Sequence, residues 1–150
     1  MPASQPRASR FWAAAFRAQY RLLRWIDPPV HAVWRRVGIG NTIELRVPGR
    51  RSGRTRAVLL GLLVSDGRWY LGHPNGAVAW TRNLDAAGGG QLVRHGQVTE
   101  VRAVPLEPGP ERERAILATG QHPFPGNAIY RLARGHILAV GRYYRVEPRR

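Results

Sequence analysis

Thr42-Ile43-Glu44-Leu45-Arg46-Val47-Pro48-Gly49-Arg50-Arg51-Ser52-Gly53-Arg54-Thr55-Arg56-Ala57-Val58-Leu59-Leu60-Gly61-Leu62-Leu63-Val64 is the stretch that decides how this chain folds. Two apolar runs flank a short polar loop, and short-period runs bounded by Gly and Pro predict strands over Thr42–Val47 and Ala57–Ser65. The loop between them carries four guanidinium groups, two hydroxyls and two glycines. Glycine lets backbone N–H groups turn toward a ligand, and the arginine fork matches phosphate or carboxylate oxygens two at a time. Such a loop suits an anion held against the end of a sheet; a solvated basic hairpin with no ligand is the competing reading.

Downstream, Asp66-Gly67 is the strongest hairpin signal in the chain and leads into a third strand, Arg68–Gly72. The cluster His73-Pro74-Asn75-Gly76 is a turn, followed by a short helix over 77–87 closed by Gly88-Gly89-Gly90. Gln91–Arg94 and Val98–Leu106 form a second expected hairpin about His95-Gly96-Gln97. Pro108-Gly109-Pro110 opens a charged helix, Glu111–Thr119, ending at Gly120. A loop, His122-Pro123-Phe124-Pro125-Gly126-Asn127, then precedes a helical piece about Tyr130 and a closing strand over Ile137–Val146. Six or so strands without βαβ alternation point to an antiparallel barrel.

Upstream, Arg10–Ile26 reads as one amphipathic helix stopped by Asp27-Pro28-Pro29, with another helical turn or two over Val30–Val37 ending at Gly38. At 100° per residue, Arg10, Arg17, Arg21 and Arg24 share one stripe, and Trp12, Phe16, Tyr20, Leu23 and Ile26 lie opposite. Either the aromatic face docks on the domain, or the helix lies on an anionic membrane with Trp12 and Trp25 in the interface. The expected organisation is a single domain over 1–150: a loose tail 1–9, the helix 10–26 and a barrel 41–147.

Composition narrows the function. The chain has 150 residues, no cysteine and a net charge of +15, and all 24 of its Lys and Arg positions are arginine. No thiolate chemistry or disulfide framework is possible, and without lysine there is no P-loop, Schiff base or lysine general base. No apolar run reaches the roughly 20 residues that span a bilayer, so the expected setting is the cytoplasm, with the inner face of the membrane as an alternative station. Anionic partners fit the charge. Nucleic acid ranks last among them, because no recognisable nucleic-acid-binding motif accompanies the arginines. The five histidines show no ligand spacing and no metal is expected. Gly38-Ile39-Gly40 lacks the third glycine of a dinucleotide fingerprint, and Ser52 is not in a nucleophile elbow. With no acid, base or nucleophile array, catalysis by this chain requires a cofactor that the protein binds and aims.

Trp80-Thr81-Arg82-Asn83-Leu84 places an indole and an amide on one helical face at i, i+3 spacing, suited to a planar heterocycle or to an ordinary buried Trp with a capping Asn. Taken in order, the Gly-Arg-Arg-Ser-Gly-Arg-Thr-Arg loop, the apolar strand, the Asp-Gly hairpin, the Asn-Gly turn and Trp-x-x-Asn-Leu resemble the deazaflavin-dependent nitroreductase family. These are small split β-barrel oxidoreductases that use coenzyme F420. The resemblance runs from about Leu45 to Val104 and more loosely to the C-terminus, and the N-terminal helix has a counterpart in many members.

The resemblance implies an α+β, mainly β fold: a split β-barrel of six or seven antiparallel strands with an N-terminal amphipathic helix and short peripheral helices. It implies a cofactor phosphate on Arg50, Arg51 and Ser52, with Arg56 a second basic contact. The ring would lie over Ala57, Val58, Leu59, Leu60 and Gly61, beside the turn Gly72, His73, Pro74 and Asn75 and the pair Trp80 and Asn83. The tyrosine-rich C-terminal segment that lines the substrate site in nitroimidazole-reducing members is represented here by Tyr130, and proton delivery falls to Tyr130, another phenol or solvent. The expected activity is hydride transfer from reduced F420 to a small electrophile such as a quinone, enone or nitro compound, by a monomer or homodimer. FMN ranks below F420, and haem or a tetrapyrrole on a similar barrel, or membrane-surface binding without catalysis, are the alternatives.

Overall fold

The computed structural model describes residues 7–25 and 40–150. Helix α1 (Arg7–Trp25) is followed by strands β1 (Thr42–Pro48), β2 (Thr55–Gly61), β3 (Leu63–Ser65) and β4 (Arg68–His73), helix α2 (Ala79–Ala87), and strands β5 (Gly89–Arg94) and β6 (Gln97–Pro105). Helix α3 (Pro110–Leu117), a 3₁₀ turn (Ala118–Gln121), helices α4 (Gly126–Leu132) and α5 (Arg134–Val140), and strand β7 (Arg142–Pro148) complete the chain. The expected helical turn over Val30–Val37, the Asp27-Pro28-Pro29 stop and residues 1–6 of the tail lie outside the described residues.

The strands form one curled antiparallel sheet in the order β2-β1-β5-β6-β7-β4-β3, the split-barrel architecture. Local chemistry sets its turns. Asp66 and Gly67 (φ 50° and 72°), and again His95 and Gly96 (φ 49° and 77°), both take the left-handed region that a two-residue hairpin needs. Inside the curl pack Leu45, Leu60, Leu62, Leu71, Leu92, Val101, Tyr144 and Val146, with Trp80 and Leu84 inserted from α2. A second core, under the helices, gathers Phe16, Leu63, Tyr70, Ala115, Ile116, Ile137 and Tyr143.

Three expectations are corrected. The strand expected over Ala57–Ser65 is two strands on opposite edges of the sheet, because Leu62 donates its N–H to Asn41 O and turns its side chain into the core. The continuous apolar run hides that corner. The strand expected over Ile137–Val146 begins only at Arg142; the residues before it form α5, whose C-terminal carbonyls are capped by the buried Arg112 guanidinium through Ile137 O, Leu138 O and Gly141 O. The N-terminal helix starts at Arg7 rather than Arg10, and Ser9 is buried, so this part of the expected tail belongs to the domain.

Helix α1 docks by its aromatic face. Phe16 is fully buried, Trp12 and Tyr20 pack on the second core, and Arg10, Arg17 and Arg21 are exposed. No helix among the described residues is long and apolar enough to cross a membrane.

Candidate functional site

The arginine loop joins β1 to β2 with Pro48 opposite Thr55. Its turn is closed by Gly49 N–H to Arg54 O (2.8 Å) and Gly53 N–H to Gly49 O (2.8 Å), and Arg54 N–H donates to Ser52 Oγ (3.2 Å). Among the described residues, a side-chain hydrogen bond ties this loop to helix α2. Asn83 of α2 accepts from both the Arg50 backbone N–H (3.2 Å) and the Arg50 guanidinium (3.0 Å) through the same Oδ1. The two motifs, 33 residues apart, are thereby one structure. Asn83 is buried, and its carbonyl oxygen accepts both bonds from the loop.

Carboxylates are scarce in this protein and are placed elsewhere. Glu44 pairs with Arg46, Glu111 with Arg68 and Arg145, Asp85 with Arg142, and Glu147 with Arg102 and Arg145. Arg51, Arg54 and Arg56 are exposed and, among the described residues, have no carboxylate partner. Cations without a carboxylate partner on and just after a glycine-bounded turn make a local positive field, favourable to an anion.

Beyond the loop, β2 is an edge strand, hydrogen-bonded on one side only. Ala57 is exposed, Val58 and Leu59 are half-buried, and Leu60 is buried. At Gly61 the His122 ring lies against the strand so closely that a Cβ there would collide with it. Asn41 Nδ2 donates to Leu62 O (3.1 Å) and stands 3.3 Å from His122 Nδ1, which therefore accepts and leaves the ring proton on Nε2.

The turn after β4 is divided in its roles. Gly72 is covered by the Tyr143 ring, and Pro74 is buried. Asn75 spends its side chain on the scaffold: Nδ2 donates to Ala13 O of α1 (2.9 Å), and Oδ1 accepts from His136 Nε2 (2.9 Å). That bond places the other ring nitrogen of His136 as acceptor for Ser9 Oγ–H (2.8 Å). His73 accepts the Asn75 backbone N–H at Nδ1 (3.1 Å), so its proton also sits on Nε2. Burial lowers the pKa of all three histidines, that of His73 to about 4. They are neutral at physiological pH.

A row of rings links the two sides of the site. His73 lies 6.3 Å (centroid to centroid) from Trp80 and 4.6 Å from Tyr20, while Tyr130 lies 4.8 Å from His122. The Tyr20 and Tyr130 hydroxyls are 3.4 Å apart. Trp80 Nε1–H is buried and has no acceptor among the described residues. A buried donor left unpaired costs about 1–3 kcal/mol, and functional sites are where such groups persist. Of the residues expected from sequence, Arg50 and Asn83 are brought into contact, Trp80 and His73 are neighbours, and Gly61 and Tyr130 meet the same His122. Tyr20, Ser9 and His136 carry no local motif; only the amphipathic pattern of α1 marked the face that holds Tyr20.

No protein-family model and no curated protein matches the chain. Solved structures do, at the level of fold. An F420-H2-dependent reductase (FDR-A) superposes with a TM-score of 0.56 at 18% identity, over 71% of this chain and 94% of that one. HutZ, the haem storage protein of Vibrio cholerae, gives 0.54 at 16% identity over 82% and 90%, and a FAD-binding protein of Mesorhizobium loti gives 0.51 at 15% over 83% and 91%. The shared feature is the split barrel, a fold whose members here include F420-dependent, haem-storing and FAD-binding proteins.

Proposed function

We propose that this split barrel is an oxidoreductase that uses the deazaflavin F420 and reduces a small electrophile such as a quinone, enone or nitro compound. The observation that carries the proposal is the double hydrogen bond from Arg50 to Asn83, which seats the arginine loop on the helix that bears Trp80. The residues present fit the cofactor. Arg51, Ser52 and Arg56, with Arg54, would hold its phosphate and carboxylate-bearing arm, and Ala57–Gly61 of the free edge of β2 with Trp80 would flank its ring. The unpartnered Trp80 N–H supports a polar planar group at that place. When bound, the reduced ring supplies a hydride.

The chain's own contribution is to bind, orient and exclude water. Neutral His73 and His122, each with its ring proton on Nε2, and the Tyr20 and Tyr130 phenols would offer N–H and O–H donors on the substrate side. Asn75 and His136 hold α1 across that side as a wall.

Titration with F420, followed by ring fluorescence, tests the proposal through Arg51→Glu. Exposed in the parent and without a carboxylate partner, this residue can be reversed without disturbing the fold. A charge-assisted contact of about 1.5–3 kcal/mol, lost and replaced by repulsion, predicts roughly a hundredfold weaker binding. Equal affinity of parent and variant would refute the loop's role.

A further inference from the structure

Helix α2 has nine residues, too few to hold a place on its own, so tertiary contacts decide where its side chains point. Asn83 ties it to the arginine loop. A second tie runs to β7 through three groups that close on one another. Tyr144 O–H donates to Asp85 Oδ1 (2.8 Å), Arg142 Nε–H donates to the Tyr144 oxygen (2.8 Å), and the Arg142 guanidinium reaches the same Asp85 oxygen (2.9 Å). The Tyr144 hydroxyl also stands 3.2 Å from Thr81 O, the carbonyl next to the indole residue. Arg142 lies 5.5 Å from the centroid of the Tyr144 ring, a further cation–π contact.

Two features separate this cluster from an ordinary surface ion pair. Asp85 sits in the last turn of α2, where the helix dipole disfavours a carboxylate, so its partners on β7 and not the helix sustain it there. Tyr144 is fully buried, and burial raises its pKa, so its hydroxyl keeps the proton that it gives to Asp85. The ring held in this way is a neighbour of the indole. Trp80 has His73 at 6.3 Å and Tyr144 at 6.1 Å, and its buried N–H has no acceptor among the described residues. Such a donor selects a ligand acceptor only where it is held in one direction.

We propose that Tyr144, clamped by Asp85 and Arg142, is a positioning residue that holds Trp80 so that its N–H meets an acceptor on the cofactor's ring. Asn83 and Arg50 seat the arm of the cofactor, and Tyr144 seats its ring. This inference rests on the F420 reading for its ligand but on α2 and β7 for its residues.

Titration of Tyr144→Phe and Asp85→Asn with F420 at low and high salt is the test, beside near-ultraviolet circular dichroism of the cofactor-free proteins. The difference between the parent and Trp80→Phe defines the signal of this indole. Both variants should keep the parent's far-ultraviolet spectrum, change the Trp80 signal and weaken F420 about tenfold, with the salt dependence of binding retained because the arginine loop is untouched. The absorbance maximum of bound F420 should move as well, since its ring loses a fixed partner. Arg102→Gln, which breaks the exposed Arg102–Glu147 pair between β6 and β7, should alter none of these. A Trp80 signal or an F420 affinity left at the parent's value in Tyr144→Phe overturns the inference, as does an equal loss in Arg102→Gln. A parent that fails to bind F420, while Tyr144→Phe still changes the Trp80 signal, overturns the cofactor reading and leaves Tyr144 as the residue that positions Trp80.

Discussion

The arginine corner and the aromatic corner border the same edge strand and are built on opposite principles. At the first, Arg51, Arg54 and Arg56 are exposed without carboxylate partners among the described residues, and the Asn83 amide holds the loop. At the second, His73, His136, Tyr20 and Tyr130 are neutral, removed from water and cross-linked by hydrogen bonds from three separate segments. Charge grips at long range and tolerates motion, whereas neutral donors orient a ligand only where water is excluded. The first corner should therefore respond to salt and the second to acid.

Acid gives the largest expected effect. His73 is lowered from 6.5 to about 4 in the fold, so the unfolded chain takes up a proton that the folded chain refuses. Its contribution is complete above about pH 6.5 and is lost as pH falls toward 4. His122 and His136 shift in the same direction. About 3 kcal/mol should disappear over that window from His73 alone, seen as a falling denaturation midpoint from pH 7 to pH 4.5, and His73→Gln should flatten the profile. A profile equally steep without His73 would sever the aromatic corner from acid sensitivity.

Asn83→Ala comes next. It removes the acceptor of two Arg50 bonds, so stability should drop by about 1–3 kcal/mol and F420 affinity should weaken with it. A stable variant of unchanged affinity would show that the loop is not seated by α2. Smallest is Gln121→Ala. Gln121 mimics a neighbouring strand for β3, accepting from Val64 N–H (3.0 Å) and donating to Val64 O, and so seals that edge of the sheet. Its loss should cost about 1 kcal/mol in chemical denaturation and leave ligand affinity untouched, since the Gln121 side chain bonds only the Val64 backbone and none of the residues proposed to hold the cofactor.

The same contrast explains what sequence could reveal. The arginine loop is contiguous and sits between two hairpin strands, so its residues and its place at the end of a sheet were legible together. The type of turn at Asp66-Gly67 was equally local. The contact of Asn83 with Arg50 was not, because the two are 33 residues apart and no spacing links them. The aromatic corner draws on α1, the turn after β4, the segment before α4, and α5, with no spacing to betray it. Helix α5 itself was read as strand because the group that caps it, Arg112, comes from another helix. Long-range polar contacts, invisible to periodicity, decided each of these.

The central claim is that this barrel selects a deazaflavin with an anionic arm. Titrating the purified protein side by side with F420, FMN and haem, and following the fluorescence or absorbance of each ring, tests it most directly. The account predicts tightest binding of F420, weakened by added salt; tighter binding of FMN or haem, or no binding of F420, would contradict it.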